Sequence, residues 1–200
     1  MGKKKSNASD SRFEMTMKTH SKSLRKALET GILDRQAEKL SFFLEGTGKC
    51  FTSSSCSGRI VLLQQFSEKK GDSFFCRKWH RAASFDEAWS AIAACKKGEL
   101  WFKQEPFILH LCVKDKKNAL KLLEAKYNAG IRRGGIISAK DGLWVIELLG
   151  SHGIAFPVKN GSEVLIGKKG FKEILETANR KLGLNFTALE RLERELEKVF

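Results

Sequence analysis

Phe51-Thr52-Ser53-Ser54-Ser55-Cys56-Ser57-Gly58-Arg59, running directly into Ile60-Val61-Leu62-Leu63-Gln64-Gln65-Phe66, is the stretch on which the fold is read. Its second half is a short apolar run bounded by turn residues, the pattern of a buried strand. Its first half places four serines, a cysteine and a glycine in positions 53–59. It reads as a loop over 52–59 that gathers hydroxyls, a thiol and free backbone amides. Just upstream, Phe42-Phe43-Leu44-Glu45-Gly46-Thr47-Gly48 imitates the opening of a dinucleotide-binding sheet. The third glycine is missing, and a serine-rich strand follows where a helix is required. A Rossmann fold is excluded.

Outward from this stretch, helical spacing of apolar residues predicts helices over 13–29 and 33–44, separated at Gly31, with a polar tail over 1–10. Downstream, Lys69-Lys70-Gly71-Asp72 turns the chain into a second strand over 73–79. Ser84-Phe85-Asp86-Glu87 is a capping box that opens a helix. Residues 101–113 read as a strand pair or one bent strand interrupted at Glu105-Pro106, and Asp115 caps an amphipathic helix that stops at Gly130. Strands follow over 136–139, 143–149 (after the Asp141-Gly142 hairpin signal) and 154–158, with a short run at 164–166. The C-terminal part is helical, and Thr187-x-x-Glu190 reads as the opening of a last helix. Grouped strands with helices at both ends predict an α+β fold, non-Rossmann, with a mixed sheet packed against helices. The domain expectation is a flexible basic tail over 1–10 and a single α/β catalytic domain over 11–200.

The 200 residues carry a net charge of +14, a statement about partners rather than fold. Residues 1–26 hold eight lysines and arginines against Asp10 and Glu14, whereas 187–200 hold three basic and four acidic residues. A surplus distributed this way suits a polyanion such as RNA. No stretch approaches the roughly 20 continuous apolar residues of a membrane span. Met1-Gly2-Lys3-Lys4-Lys5-Ser6 fits a loose myristoylation pattern, but three lysines read better as a solvated tail. The five cysteines form no C-x-x-C pair, which points to reduced thiols in a cytoplasm. Neither Cys76-x-x-x-His80 nor His110-x-Cys112 has zinc spacing, so no metal is expected.

Several residues are suited to chemistry. Gly58 lets a ligand approach the backbone, and Arg59, at a strand entrance, offers a planar fork for a carboxylate or phosphate. Cys56 becomes a nucleophile if His80 or His152 lies beside it, and otherwise a wall of the pocket. Lys78-Trp79-His80-Arg81 is a basic–aromatic cluster able to stack a base and hold a phosphate, although Trp79 suits a core equally well. Gly130-Ile131-Arg132-Arg133-Gly134-Gly135 sets two arginines on a flexible turn after a helix, and Ser151-His152-Gly153 lies between strands.

In order along the chain, Phe51–Ile60, Lys78-Trp79-His80, Glu105-Pro106-Phe107-Ile108-Leu109-His110, Gly130–Ile136 and Ser151–Ile154 with Pro157 resemble the third enzyme family of tRNA wybutosine synthesis. The likeness runs over about residues 20–180. Ser53 stands where threonine is expected, and the lysine tail has no counterpart. The resemblance implies transfer of a methyl group from S-adenosylmethionine to a ring nitrogen of the tricyclic guanine derivative beside the anticodon of phenylalanine tRNA. It also implies roles. Ser54, Ser55, Gly58, Arg59 and Ser151 would hold the donor, with Arg59 on its carboxylate. His80, His152 and Cys56 are the catalytic candidates, a histidine accepting the proton. Trp79 and Trp101 would stack the tricycle, and Lys78, Arg132 and Arg133 would meet phosphates. Two other readings compete: an RNA-binding module without activity, and a hydrolase dependent on Cys56.

Overall fold

The computed structural model describes residues 3–30, 34–67, 69 and 71–200. Gly2, Gly31, Leu33 and Lys70, on which a lipidation pattern, a break, a helix start and part of a turn are read above, lie outside them. The elements are α1 (Lys3–Glu29), α2 (Arg35–Gly46), β1 (Cys50–Cys56), β2 (Arg59–Gln65), β3 (Ser73–Trp79), α3 (Phe85–Ala94), β4 (Glu99–Glu105), β5 (Ile108–Val113), α4 (Lys116–Asn128), β6 (Ile136–Lys140), β7 (Leu143–Leu149), β8 (Ile154–Asn160), β9 (Glu163–Val164) and α5 (Lys168–Glu197).

The expected α+β class is present. The sheet, expected as one mixed sheet, is two sheets in which every pairing is antiparallel. Where the sequence suggests one domain over 11–200, the chain groups into two compact units. The first is Met1–Ser57, Phe107–Ser151 and Thr187–Phe200, and the second is Gly58–Pro106 and His152–Phe186.

The first unit holds the sheet β1-β5-β7-β6. Strand alternation sorts its residues by face. Leu109, Leu111, Val113, Ile146 and Leu148 face Leu40 and Leu44 of α2, Leu122 of α4, and Leu189, Leu192 and Leu196 of α5. On the opposite face Phe51, Cys112 and Val145 pack against Phe13 and Met17 of α1. The polar tail expected over 1–10 is helical backbone from Lys3, because no glycine or proline interrupts the chain before Gly31. Asp141 (φ 49°) and Gly142 (φ 75°) close the β6–β7 hairpin, as two positive φ angles in a two-residue turn require.

The second unit holds the sheet β3-β2-β4-β8-β9. Ile60, Leu62, Trp79, Leu100, Phe102 and Val158 form one face and bury against Ile92 of α3 and Phe171, Leu175, Ala178 and Leu182 of α5. Ser84 and Glu87 make both hydrogen bonds of the capping box. Pro106 follows the end of β4, and β5 belongs to the other sheet, so residues 101–113 are two strands that never pair.

One boundary differs outright. Thr187 opens no separate helix and lies inside the continuous α5. Its capping pattern is real, but Leu175, Ala178, Leu182, Asn185, Leu189, Leu192 and Leu196 keep three- and four-residue spacing and are all buried. Burial of that stripe outweighs the roughly 1 kcal/mol that Gly183 costs inside a helix.

Candidate functional site

In the first unit the serine-rich stretch is strand rather than loop. Residues 53–56 lie in β1, where Ser54, Ser55 and Cys56 pair with β5, and Ser57 lies beyond the strand end. A bulge between Thr52 and Ser54 resets the alternation. Ser54, His110 and Glu147 then form one cross-strand row, and Cys56, Ile108, Leu149 and Arg133 another. These rows belong to the sheet face that carries Phe51 and Cys112. Ser55 pairs with Leu109 and belongs to the core face. Ser54 is exposed; Ser55 and Cys56 are half-buried. Ser53 donates its hydroxyl to the His110 carbonyl at 3.3 Å.

The free amides expected in this stretch are not all free. Asp34 caps α2 through one oxygen, which accepts from the Gln36 amide at 3.2 Å, and its other oxygen accepts from the Ser57 amide at 2.7 Å. Ser57 is fully buried, and its hydroxyl finds no hydrogen-bond partner among the described residues.

His110 and Glu147 were not singled out as site residues by sequence. Their side chains meet at 3.1 Å between the histidine Nε2 and a carboxylate oxygen, both about a quarter exposed. A lone histidine in the apolar run of β5 was the available signal, but its partner is 37 residues away.

Arg132 and Arg133 follow α4, as the sequence suggests. Arg132 lies over the Tyr127 ring at 3.8 Å and donates to the Tyr127 carbonyl. Arg133 donates to the Gly150 carbonyl at 3.2 Å, beside exposed Ser151. The turn is held from inside by Lys126, whose buried ammonium donates to the Arg132 and Gly134 carbonyls at 3.3 and 2.8 Å. Burial, then the nearby Arg132 charge, pulls the Lys126 pKa below the usual lysine value. Gly134 has φ +87°, and a Cβ there would sit 2.1 Å from the Glu147 carbonyl oxygen.

In the second unit, Arg59, Lys78 and Trp101 share the sheet face turned away from α3 and α5. Arg59 pairs in register with Glu105, and its Nε donates to that carboxylate at 2.6 Å. Its guanidinium lies 4.7 Å from the centre of the Phe75 ring, which Lys78 also approaches at 5.2 Å. Trp101 donates to Glu99 at 2.7 Å and carries Lys103 over its ring. Trp79 is a correction: it is only 8% exposed and belongs to the core face, so it offers no surface for stacking a base. Its register partner is Ile60, one position out of phase with the open face. His80 is exposed just beyond β3, and His152 is half-buried before β8. Gly58 (φ +100°) is buried at the entrance to β2.

Two antiparallel sheets with flanking helices, one bearing a row of hydroxyl, imidazole and carboxylate and the other an arginine paired with Glu105 among aromatics, define a non-Rossmann α+β protein. The family described as Methyltransferase TYW3 matches residues 11–198, and the chain belongs to that family. It is 30% identical over 178 residues to a Thermococcus kodakarensis tRNA(Phe) 7-((3-amino-3-carboxypropyl)-4-demethylwyosine(37)-N(4))-methyltransferase, covering 88% of this chain and 89% of that one. A Xenopus laevis tRNA wybutosine-synthesizing protein 3 homolog is 26% identical over 84% of this chain and 68% of its own length. The solved structure of the PH1069 protein from Pyrococcus horikoshii superposes with a TM-score of 0.87 at 28% identity, covering 92% of this chain and 96% of that one. No helix among the described residues is long and apolar enough to cross a membrane.

Proposed function

We propose that this chain is a tRNA(Phe) methyltransferase of wybutosine synthesis, acting in the cytoplasm on N4 of the demethylwyosine base at position 37, beside the anticodon. The observation that carries the reading is membership of the TYW3 methyltransferase family together with nearly full-length likeness to a relative named for that reaction.

The N–CH3 bond forms as the S–CH3 bond of S-adenosylmethionine breaks, and the acceptor nitrogen gives up its proton. The donor supplies the electrophilic methyl group. The protein's share is alignment, which can lower a barrier by about 7–11 kcal/mol when the reacting atoms are held in line. Arg59 suits the donor carboxylate. Glu105 engages its Nε and Phe75 backs the guanidinium plane, leaving the outer edge to form a charge-assisted fork. In the first unit, Ser54 and Ser151 offer exposed hydroxyls, Ser55 lies on the core face of β1, and Cys56 shares the face of Ser54. Trp101 remains a stacking candidate for the tricycle. Lys78, Arg132 and Arg133 suit phosphates, and His80 or His152 suits the departing proton.

Thermal denaturation tests the reading. S-adenosylmethionine should raise the melting temperature, because a ligand that binds only the folded state stabilises it, and Arg59→Ala should weaken that effect. An unchanged melting temperature at millimolar donor would favour an RNA-binding module without activity.

A further inference from the structure

A second feature of the β2–β3 unit lies apart from the open face that carries Arg59. A cleft of about 460 Å³ opens between the β2–β3 hairpin and the C-terminal end of α3, within the size range of ligand sites. Ala91 and Ala94 give it an apolar floor, Phe66 a wall, and Arg77, Lys96 and Lys97 a cationic rim. No carboxylate lines it among the described residues.

The aromatic wall is out in solvent. Phe66 is 53% exposed and Phe74 50% exposed, and their rings stack at 5.8 Å with an interplanar angle of 29°. Neighbouring exposed phenylalanines at a strand tip are costly for solubility unless a partner covers them.

The cleft is also braced. The buried Gln64 side chain donates to the Lys97 carbonyl and accepts from the Cys76 thiol. Gly98, at φ +68°, allows the Gln65 carbonyl and the Phe66 ring to approach so closely that a Cβ would lie 2.6 Å from the former. Buried Lys159 donates to the Ile92 and Cys95 carbonyls at the end of α3. That ammonium offsets the negative helix end, so the field above the floor is set by Arg77, Lys96 and Lys97.

We propose that this cleft is a second RNA-contact site, in which a single-stranded segment of the tRNA stacks a base on Phe66 and Phe74 and rests its phosphates on Arg77, Lys96 and Lys97. An apolar floor, exposed aromatic rings and a rim of cations are the combination that single-stranded nucleic acid recognises. An acidic peptide would be served by the cations and not by the exposed ring pair. The inference rests on the tRNA reading above and extends the RNA footprint to a surface remote in sequence from the arginines at 132 and 133.

The test is fluorescence anisotropy of labelled tRNA(Phe) transcript against the whole protein over a salt series, with the donor titrated separately by calorimetry. The K96Q/K97Q variant should lower affinity at low salt and flatten the slope of log K against log salt by about two, one for each lost phosphate contact. Phe66→Ala should weaken binding by roughly 5- to 150-fold, the range for loss of a stacked base. Donor affinity and melting temperature should stay at wild-type values in both variants. Wild-type affinity and salt slope in both variants would overturn the cleft as an RNA contact while leaving the methyltransferase reading intact. Loss of donor affinity in either variant would reassign the cleft to the donor. A wild-type protein that fails to bind tRNA would remove the premise itself. Binding of poly-glutamate in preference to tRNA at this cleft would overturn the proposal in favour of an acidic protein.

Discussion

Replacing Gly134 with alanine isolates the geometry that fixes the arginine turn. The residue sits at φ +87°, where an L side chain costs about 1–2 kcal/mol. Its Cβ would lie 2.1 Å from the Glu147 carbonyl oxygen and 2.8 Å from the carbonyl carbon. Both are backbone atoms, so no rotamer change relieves the overlap, and the turn must move away from β7 at a further cost of roughly 1–3 kcal/mol. The sum, about 2–5 kcal/mol, is a large fraction of the roughly 5–15 kcal/mol that stabilises a domain. At a slope of about 2 kcal/mol per molar urea, the midpoint should fall by roughly 1–2.5 M. Because Glu147 also holds His110 and its amide donates to Gly135, the displacement should loosen that pair and lower tRNA affinity at temperatures where the variant is folded. Gly135→Ala is the internal control. Nothing lies within 4 Å of its Cβ position and its φ is not in the positive range, so it should change stability by less than about 0.5 kcal/mol. Equal midpoints for the two variants, or a Gly134→Ala midpoint at the wild-type value, would refute the reasoning.

Three further outcomes follow from the same structure. Lys126→Met removes two charge-assisted hydrogen bonds to the turn carbonyls and relieves a buried charge; a net loss of about 1–3 kcal/mol is expected, read by urea denaturation, with tRNA affinity lowered and donor affinity unchanged. Asp34→Ala removes the α2 cap and orphans the buried Ser57 amide, a combined loss of roughly 2–4 kcal/mol by the same denaturation, of which Asp34→Asn, with one acceptor oxygen for two amides, should restore no more than about half. Burial, reinforced by Cys95, pushes the Cys76 thiol from 9.0 up to about 12. The unfolded chain therefore loses this proton before the folded one does. The stabilisation is complete below pH 9 and drains away as pH rises from 9 towards 12. Denaturation midpoints at pH 7, 9 and 10.5 should fall less steeply in Cys76→Ala than in wild type.

The secondary structure was legible wherever local chemistry decides it. The Ser84 capping box, the Asp115 cap and the Asp141-Gly142 hairpin all carry their signal within four residues. The serine-rich stretch was misread because β-propensity is weak in Ser53-Ser54-Ser55, and only pairing with β5, more than fifty residues on, makes it strand. Thr187 misled for the opposite reason: its local cap signal is overridden by a long buried stripe. Among site residues, Arg59 was visible as a charge at a strand entrance, whereas its dependence on Glu105 and Phe75 is a property of register between β2, β3 and β4. Trp79 and Lys78 are adjacent in sequence and point to opposite faces, so a basic–aromatic cluster in one dimension separates into a core residue and a surface one. Lys126 gave no signal, since a lysine on an amphipathic helix is ordinarily solvated.

The central claim is tested most directly by incubating the protein with S-adenosylmethionine carrying a labelled methyl group and tRNA(Phe) from a strain blocked at this step, then locating the label by nucleoside mass spectrometry. The account predicts one labelled methyl per tRNA, on N4 of the modified base at position 37, and none on the same tRNA from an unblocked strain. Donor binding without label in the tRNA, or label on any other nucleoside, would contradict it.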